Sequence, residues 1–369
     1  MKRFIFIVYL LIFISCTKKE SENYSIQGQI SPVNTKYLIL RQQTDIERQL
    51  STIIDTLSIS KDGKFSTNLT LKPHLYTLHI DTKNNITLAI GKGQHLTIDI
   101  NNYESKITGS KDTDALIAYE NFRKKSLDSL VQSVRKQVKK IKESEHPDQE
   151  KILKLEQLEV ENYEKHLTEL NDFIKNKMGT TLGLYATSIR WKGAENLPYY
   201  DSLVTVFNAQ HPNLDISKKL REKVTRLQQT SVGGTATTIE MKNVEEALVN
   251  LTSIHKKYTL IDFWASWCGP CRSESKTLNS LYKKYNANGF EIYGISLDSH
   301  KEKWLKALEK DHRIWTNVSS LEAFKTKAAF DYTVTALPMN YLIDAEYKIV
   351  GKNLHEGELN SLLDRLFNN

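Results

Sequence analysis

Thr259-Leu-Ile-Asp-Phe-Trp-Ala-Ser-Trp-Cys-Gly-Pro-Cys271 decides how the rest of this 369-residue chain is read. The run Thr259 to Trp264 is apolar on both alternating faces apart from Asp262, the pattern of a buried strand. It leads directly into two cysteines separated by Gly269-Pro270 and then into a polar helical stretch. Pro270 fits the first turn of a helix, where its missing N–H costs nothing. Cys268 is thereby set against unpaired backbone donors and the positive end of a helix dipole, which lower the pKa of a thiol that is otherwise near 8.5 and mostly protonated at neutral pH. Two intervening residues bring Cys271 back within bonding reach of Cys268.

Downstream, Phe290 to Leu297 reads as another buried strand and Glu302 to Lys310 as a helix. Met339 to Asp344 reads as a strand with Tyr347 to Gly351 as its hairpin partner, and Leu359 to Phe367 as a closing helix. Strand and helix alternating around a central sheet is α/β architecture, here assigned to residues 235–369. The chain holds three cysteines, too few for a disulfide scaffold. No second cysteine pair or Cys/His cluster completes a zinc site, His255 and His300 being isolated. The site therefore implies no metal and no organic cofactor, only a redox-active disulfide between Cys268 and Cys271.

Residues 259–274 resemble the active-site segment of the thioredoxin superfamily, and Trp267-Cys-Gly-Pro-Cys271 matches the dipeptide of thioredoxin itself. Leu260 to Glu274 most resembles the envelope thioredoxin-like proteins of the TlpA/ResA type, which are tethered outside the cytoplasm and handle protein disulfides. The resemblance spans about residues 235–369. It implies that Cys268 attacks a substrate disulfide and that Cys271 resolves the mixed disulfide. Asp262 and Glu274 match the carboxylates that serve as proton acceptors; a carboxylate in near-apolar surroundings has a raised pKa. Acidic residues are also favoured in a first helical turn, so Glu274 has a plain structural reading too. Pro338, after Val334-Thr-Ala-Leu337, stands where the superfamily carries a cis-proline, with the backbone of Leu337 binding substrate as an added strand. Trp267, Gly269 and Pro270 complete the implied docking surface, whereas Trp264 reads equally as core. Met339 departs from the usual threonine, and Tyr347 from a hairpin glycine.

The implied activity is reduction of protein disulfides, since the Gly-Pro dipeptide belongs to thioredoxin at about −270 mV rather than to oxidants such as DsbA at about −120 mV. Disulfide-containing envelope proteins and a membrane thiol donor are the implied partners. An envelope oxidase or isomerase, a thiol peroxidase and a non-catalytic partner-binding lipoprotein are the alternatives. Peroxidases attack with one cysteine in a Pro-rich Thr/Cys loop, unlike this dithiol.

Met1 to Cys16 has Lys2 and Arg3, then an apolar run from Phe4 to Ile14, then Ser15 and Cys16. At about 1.5 Å per residue the run falls short of a hydrocarbon core roughly 30 Å thick, so it reads as a secretory leader. Its end resembles the lipobox of bacterial lipoproteins, with Cys16 as the lipidated residue and Phe13 in place of the usual leucine. A periplasm-facing, lipid-anchored protein is expected, with an unlipidated secreted form or an uncleaved anchor as alternatives.

A tether over 17–24 precedes short β-favouring runs from 25 to 109, read as a small antiparallel β-domain: Tyr24 to Ile30, Lys36 to Arg41, Ile53 to Ser60, Lys64 to Leu71, Leu75 to Asp81, Thr87 to Ile90 and His95 to Ile100. Asp62-Gly63 is read as a hairpin turn. Residues 110–230 read as helical. Leu127, Leu130, Val134, Val138 and Ile141 share one face, the pattern breaks at His146-Pro147, and it resumes from Ile152 through Leu155, Tyr163, Leu167, Leu170 and Ile174. A helical hairpin is the simplest reading and a dimerising coiled coil the alternative. Ser231 to Gly234 reads as a linker. Residues before 235 carry the whole net charge of +7, since residues 235–369 hold 17 basic and 17 acidic side chains. A neutral catalytic part without basic and aromatic interleaving excludes a nucleic-acid binder.

Overall fold

A computed structural model describes residues 23–191 and 196–368. The leader and Cys16 lie outside them. Eight strands come first: β1 (Asn23–Ser31), β2 (Tyr37–Asp45), β3 (Leu50–Ser58), β4 (Lys64–Thr70), β5 (His74–His79), β6 (Asn85–Ile90), β7 (His95–Asn101) and β8 (Glu104–Thr108). They form two four-stranded sheets, β4-β1-β7-β8 and β3-β2-β5-β6. Alternating inward side chains such as Tyr24, Ile26, Leu38, Leu40, Leu78, Leu88 and Ile98 fill the space between them.

Two expectations change here. The domain is antiparallel except at its centre, where β1 lies between β4 and β7 and runs parallel to β7. Asp62-Gly63 makes a tight turn, closed by Ser60 and Lys64, but not a hairpin: β3 and β4 belong to different sheets, and the turn hands the chain from one to the other. Gly63 has φ +83°, and a Cβ there would come within 2.3 Å of the Ile30 carbonyl oxygen, so glycine is needed.

The helical region begins with α1 (Lys111–Leu127), continues through a π turn at Asp128–Gln132 into α2 (Ser133–Lys142), and folds back as α3 (Gln149–Phe173). The side chain of Asp148 accepts from the Lys151 N–H and caps α3 just after Pro147, which explains the interrupted apolar pattern. Val134, Val138 and Ile152 pack together with Ile141 and Leu155 between the arms, so the stripe is buried within the hairpin. Short α4 (Leu184–Thr187), then α5 (Leu197–Gln210) and α6 (Asp215–Gln229), complete the region. Its main core includes Leu75 and Ala89 of the β-sandwich, and Ser110 and Thr113 hydroxyls donate to the Ala89 carbonyl. The sandwich and helices therefore share one core across the 109/110 boundary.

The C-terminal domain starts with a two-stranded ribbon, β9 (Glu240–Lys242) and β10 (Leu248–Asn250), and α7 (Leu251–Ile254). Its remaining elements are β11 (Tyr258–Trp264), α8 (Gly269–Tyr285), β12 (Phe290–Ser296), α9 (Lys301–Asp311), β13 (Thr316–Val318), α10 (Lys327–Asp331), β14 (Met339–Asp344), β15 (Ile349–Lys352) and α11 (Glu356–Asn368). The sheet order is β13-β12-β11-β14-β15. β11 pairs parallel with β12 and antiparallel with β14. A strand so placed is covered on both faces, which is why its sequence is nearly continuous in apolar residues. This is a thioredoxin-like α/β fold, and the whole chain is α/β. Tyr347 occupies the β14–β15 turn at φ 62° with its ring stacked on His255 at 4.3 Å. The segment read as a linker is held against that hairpin: the Gly233 N–H donates to the Ile349 carbonyl, and the Ile349 N–H to that of Gly234. Phe330 of α10 is gripped between the guanidinium groups of Arg48 and Arg226, at 4.2 and 3.9 Å, joining sandwich, α6 and C-terminal domain. Among the described residues no helix is long and apolar enough to cross a membrane.

Candidate active site

The carboxyl end of β11 delivers Ala265 to Trp267 across the top of the sheet, and Cys268 becomes the N-cap of α8. Its Sγ accepts from the Cys271 N–H at 3.2 Å, where an oxygen-bearing cap residue ordinarily stands. Cys268 and Cys271 are joined as a disulfide, with Cα atoms 5.3 Å apart. Cys268 is 5% exposed and Cys271 1%, so Cys268 lies nearer solvent. Around them pack Trp264, Ala265, Trp304 and Ala307, the apolar surroundings that keep water from the sulfurs.

Asp262 lies in β11, 2% exposed, but its surroundings are not near-apolar as the resemblance implied. Arg313, also buried, meets its carboxylate at 2.8 Å. The same guanidinium donates to the Ser275 hydroxyl and to the Cys271 carbonyl and lies 4.0 Å over the Trp264 ring. Arg313 thus ties the strand, the first turns of α8 and the second cysteine's backbone into one unit. Glu274 sits one helical turn beyond Cys271 and therefore on the same side of α8. Burial pushes its carboxyl above the usual range, against the lowering effect of His355, whose Nδ1 lies 2.6 Å from Glu274 Oε1.

Leu337-Pro338 is a cis peptide. Pro338, Leu337, Trp267 and Pro270 line one cleft, so the structure brings together these four residues of the expected docking surface. Trp267 is 58% exposed and packs against Phe324 with ring centres 6.2 Å apart, while Trp264 is wholly buried. Gly269 faces the helical region instead of the cleft's open side. A Cβ there would lie 2.7 Å from Glu156 Oε1 of α3, so the Gly-Pro dipeptide also answers a close approach by another part of the chain. Glu156 is 3% exposed; it is paired with Lys142 at 2.7 Å and hydrogen-bonded by the Ser273 hydroxyl.

Arg313, His355 and Glu156 are absent from the sequence reading. A single arginine between a helix and a short strand and a histidine before a closing helix carry no spacing signal. Glu156 is one of many charged residues along α3, and nothing in the sequence sets it apart from the exposed ones.

Two outcomes test this geometry. Arg313→Met leaves the Asp262 carboxylate buried without its cation, which costs about 3–5 kcal/mol; urea unfolding should show that loss, and a change under about 1 kcal/mol would deny the pair its structural role. Glu274 holds its proton more tightly folded than unfolded, so its contribution to stability is present at low pH and is lost as pH rises through the raised value. Glu274→Gln should therefore gain stability relative to the parent as pH rises above the ordinary carboxylate pKa of about 4.3, read from unfolding midpoints on either side of it; a constant difference would contradict the burial effect.

Residues 232–352 match the model of the AhpC/TSA family, and residues 24–116 match a domain of unknown function, DUF4369. Thiol-disulfide oxidoreductase ResA of a Bacillus cereus strain is 30% identical over 129 residues, which are 35% of this chain and 73% of that protein. Thiol-disulfide oxidoreductase ResA of Geobacillus thermodenitrificans is 29% identical over 119 residues, covering 32% of this chain and 67% of its own length. Among solved structures, the thioredoxin domain of a thiol-disulfide oxidoreductase from Bacteroides vulgatus is 32% identical. It covers 37% of this chain and 99% of its own, with a TM-score of 0.36. The dithiol at the head of α8 and the similarity to the Bacillus cereus protein lead to one conclusion: through its C-terminal domain, this chain belongs to the ResA family of thiol-disulfide oxidoreductases.

Proposed function

We propose that the chain reduces protein disulfides in the cell envelope, held at a membrane by lipid on Cys16 and resupplied with electrons by a membrane thiol donor. The observation that carries the exchange chemistry is the sulfur of Cys268 standing as the cap atom of α8, with Cys271 one turn behind it. In the reduced protein the backbone N–H groups and dipole at that helix end stabilise the Cys268 thiolate. The thiolate attacks one sulfur of a substrate disulfide and releases the other as a thiolate, forming a mixed disulfide. Cys271, deprotonated, then attacks Cys268 Sγ and releases the second substrate thiolate. The protein ends oxidised, the substrate gains two electrons, and the two protein thiol protons balance the two thiolates released.

Glu274, raised by burial and backed by His355, suits the acceptance of the Cys271 proton. Asp262 serves the same step as a second acceptor or, through Arg313, as the group that fixes the Cys271 backbone. Leu337 and Pro338 receive the substrate chain beside Trp267 and Pro270, while Gly269, turned to Glu156, takes no part in that surface. The reducing direction rests on the Gly-Pro dipeptide, and the envelope location on the leader and Cys16.

Equilibration of the purified protein with glutathione buffers should give a midpoint near thioredoxin's, about −270 mV; a value near about −120 mV would reverse the direction. In the native envelope, Cys271→Ser should accumulate protein partners linked to Cys268 and released by dithiothreitol. Recovery of no such adduct, with Cys268 still reactive, would argue against protein substrates.

A further inference from the structure

The helical region supplies the wall opposite the redox motif. Between them runs a cleft of about 340 Å³, at the small end of ligand pockets, which span about 300–1,000 Å³. It has room for a few residues in single file and none for a folded domain. One wall carries Trp267, Pro270 and the cis-Pro338 turn, and the other is built from α1, α2 and α3. The position of that wall is fixed by the contact of Glu156 with Lys142, Ser273 and Gly269 described above, and by Asn353 Nδ2 donating to Glu164 Oε1 at 3.2 Å.

The charge of this cleft is uneven. Arg123, Arg135, Arg190 and Lys352 line it against Glu159 and Glu164; Arg135 is paired with Glu159 and Arg123 with the neighbouring Glu120, so four basic side chains stand against three acidic ones and the excess is a small positive one. His166, also in the lining, is held down to about 4 by burial and then by the charges of Arg123 and Arg190, so the histidine adds no charge at neutral pH and registers the positive field around it. On an adjoining face of α3 a second cavity, of about 650 Å³, shares Val160, Glu164 and Pro270 with the first, contains no lysine or arginine among its described lining, and is walled by Glu156, Glu161, Glu164, Glu274 and Glu358, of which Glu156 is paired with Lys142 and Glu274 with His355. Of the two approaches to the redox motif, the one beside Trp267 and Pro338 is therefore the more basic.

We infer that the substrate is an extended polypeptide segment with acidic residues flanking its disulfide, admitted to Cys268 through the cationic cleft between the helical hairpin and Pro338. This rests on the disulfide-exchange reading and adds the substrate's chemistry to it. An acidic chain is drawn to the cleft and kept from the carboxylate-lined side. The small volume suits a single extended strand, which also fits pairing with the backbone of Leu337.

The test uses the pre-reduced full chain and two short, unstructured peptide disulfides, identical except for Glu or Lys on either side of the cysteine, with neutral hydroxyethyl disulfide as a third substrate. Single-turnover oxidation of the protein should be about five- to tenfold faster with the Glu peptide at low salt, as one or two partly screened charge pairs would give. That advantage should shrink at about 0.5 M salt and shrink or invert in Arg135→Glu, a substitution at a half-exposed side chain. Equal rates for the two peptides, or a faster Lys peptide, would overturn the inference while turnover of hydroxyethyl disulfide left the exchange reading standing. A Glu preference unmoved by salt and by Arg135→Glu would overturn its assignment to the cleft. Failure to oxidise with any of the three would sink the exchange reading itself.

Discussion

Holding a sulfur anion at the head of α8 is the physical task on which the rest of the site depends. The helix end favours the anion through its free N–H groups and dipole, but a thiolate amid Trp264, Trp304 and Cys271 is also partly withdrawn from water. Neighbouring carboxylates would oppose it. Asp262, Glu274 and Glu156 all lie near the first turns of α8, and each is met by a basic partner: Arg313, His355 and Lys142. The Arg313 and Lys142 pairings turn would-be like-charge neighbours into nearly neutral pairs. Glu274 differs, because burial raises its carboxyl and its partner can itself lose its charge. Of the three it is the group best fitted to change protonation during a catalytic cycle.

The part of the site written in local sequence is legible from the sequence itself. An apolar strand, a cysteine pair around Gly-Pro and a helix start fix Cys268 and Cys271 relative to one another, because all are consecutive in the chain. Although β8 was not read, seven of the eight β-domain strands were similarly legible from alternation and turn residues. Their pairing was not: nothing local in Tyr24 to Ile30 says that β1 will insert between β4 and β7 and run parallel to β7. Asp62-Gly63 signalled a turn correctly, yet turn chemistry fixes the bend and not which sheet receives the next strand. β13, three residues long, is too short for periodicity to register.

The partners of the site were illegible for the same reason. Arg313 reaches Asp262 across 51 residues and Glu156 reaches Ser273 across 117. Such contacts are set by how β11, α9 and α3 pack, and single-chain patterns carry no record of that. The expectation of a near-apolar Asp262 failed on this point, since burial was inferable from β11 but its counter-ion was not.

The helical hairpin turns from an appendage into part of the site by the same packing. Its apolar stripe is consumed internally by Val134, Val138 and Ile152, leaving the polar flank of α3 to face α8. A polar flank set against a redox helix has to pair every charge it buries, and Glu156 does so with Lys142 from the opposite arm of the same hairpin. The hairpin therefore brings its own neutralisation to the contact, and the concession it requires from the redox motif is an absent side chain at Gly269. The Gly-Pro dipeptide between the two cysteines thus also supplies the gap that lets the helical hairpin pack against the first turn of α8.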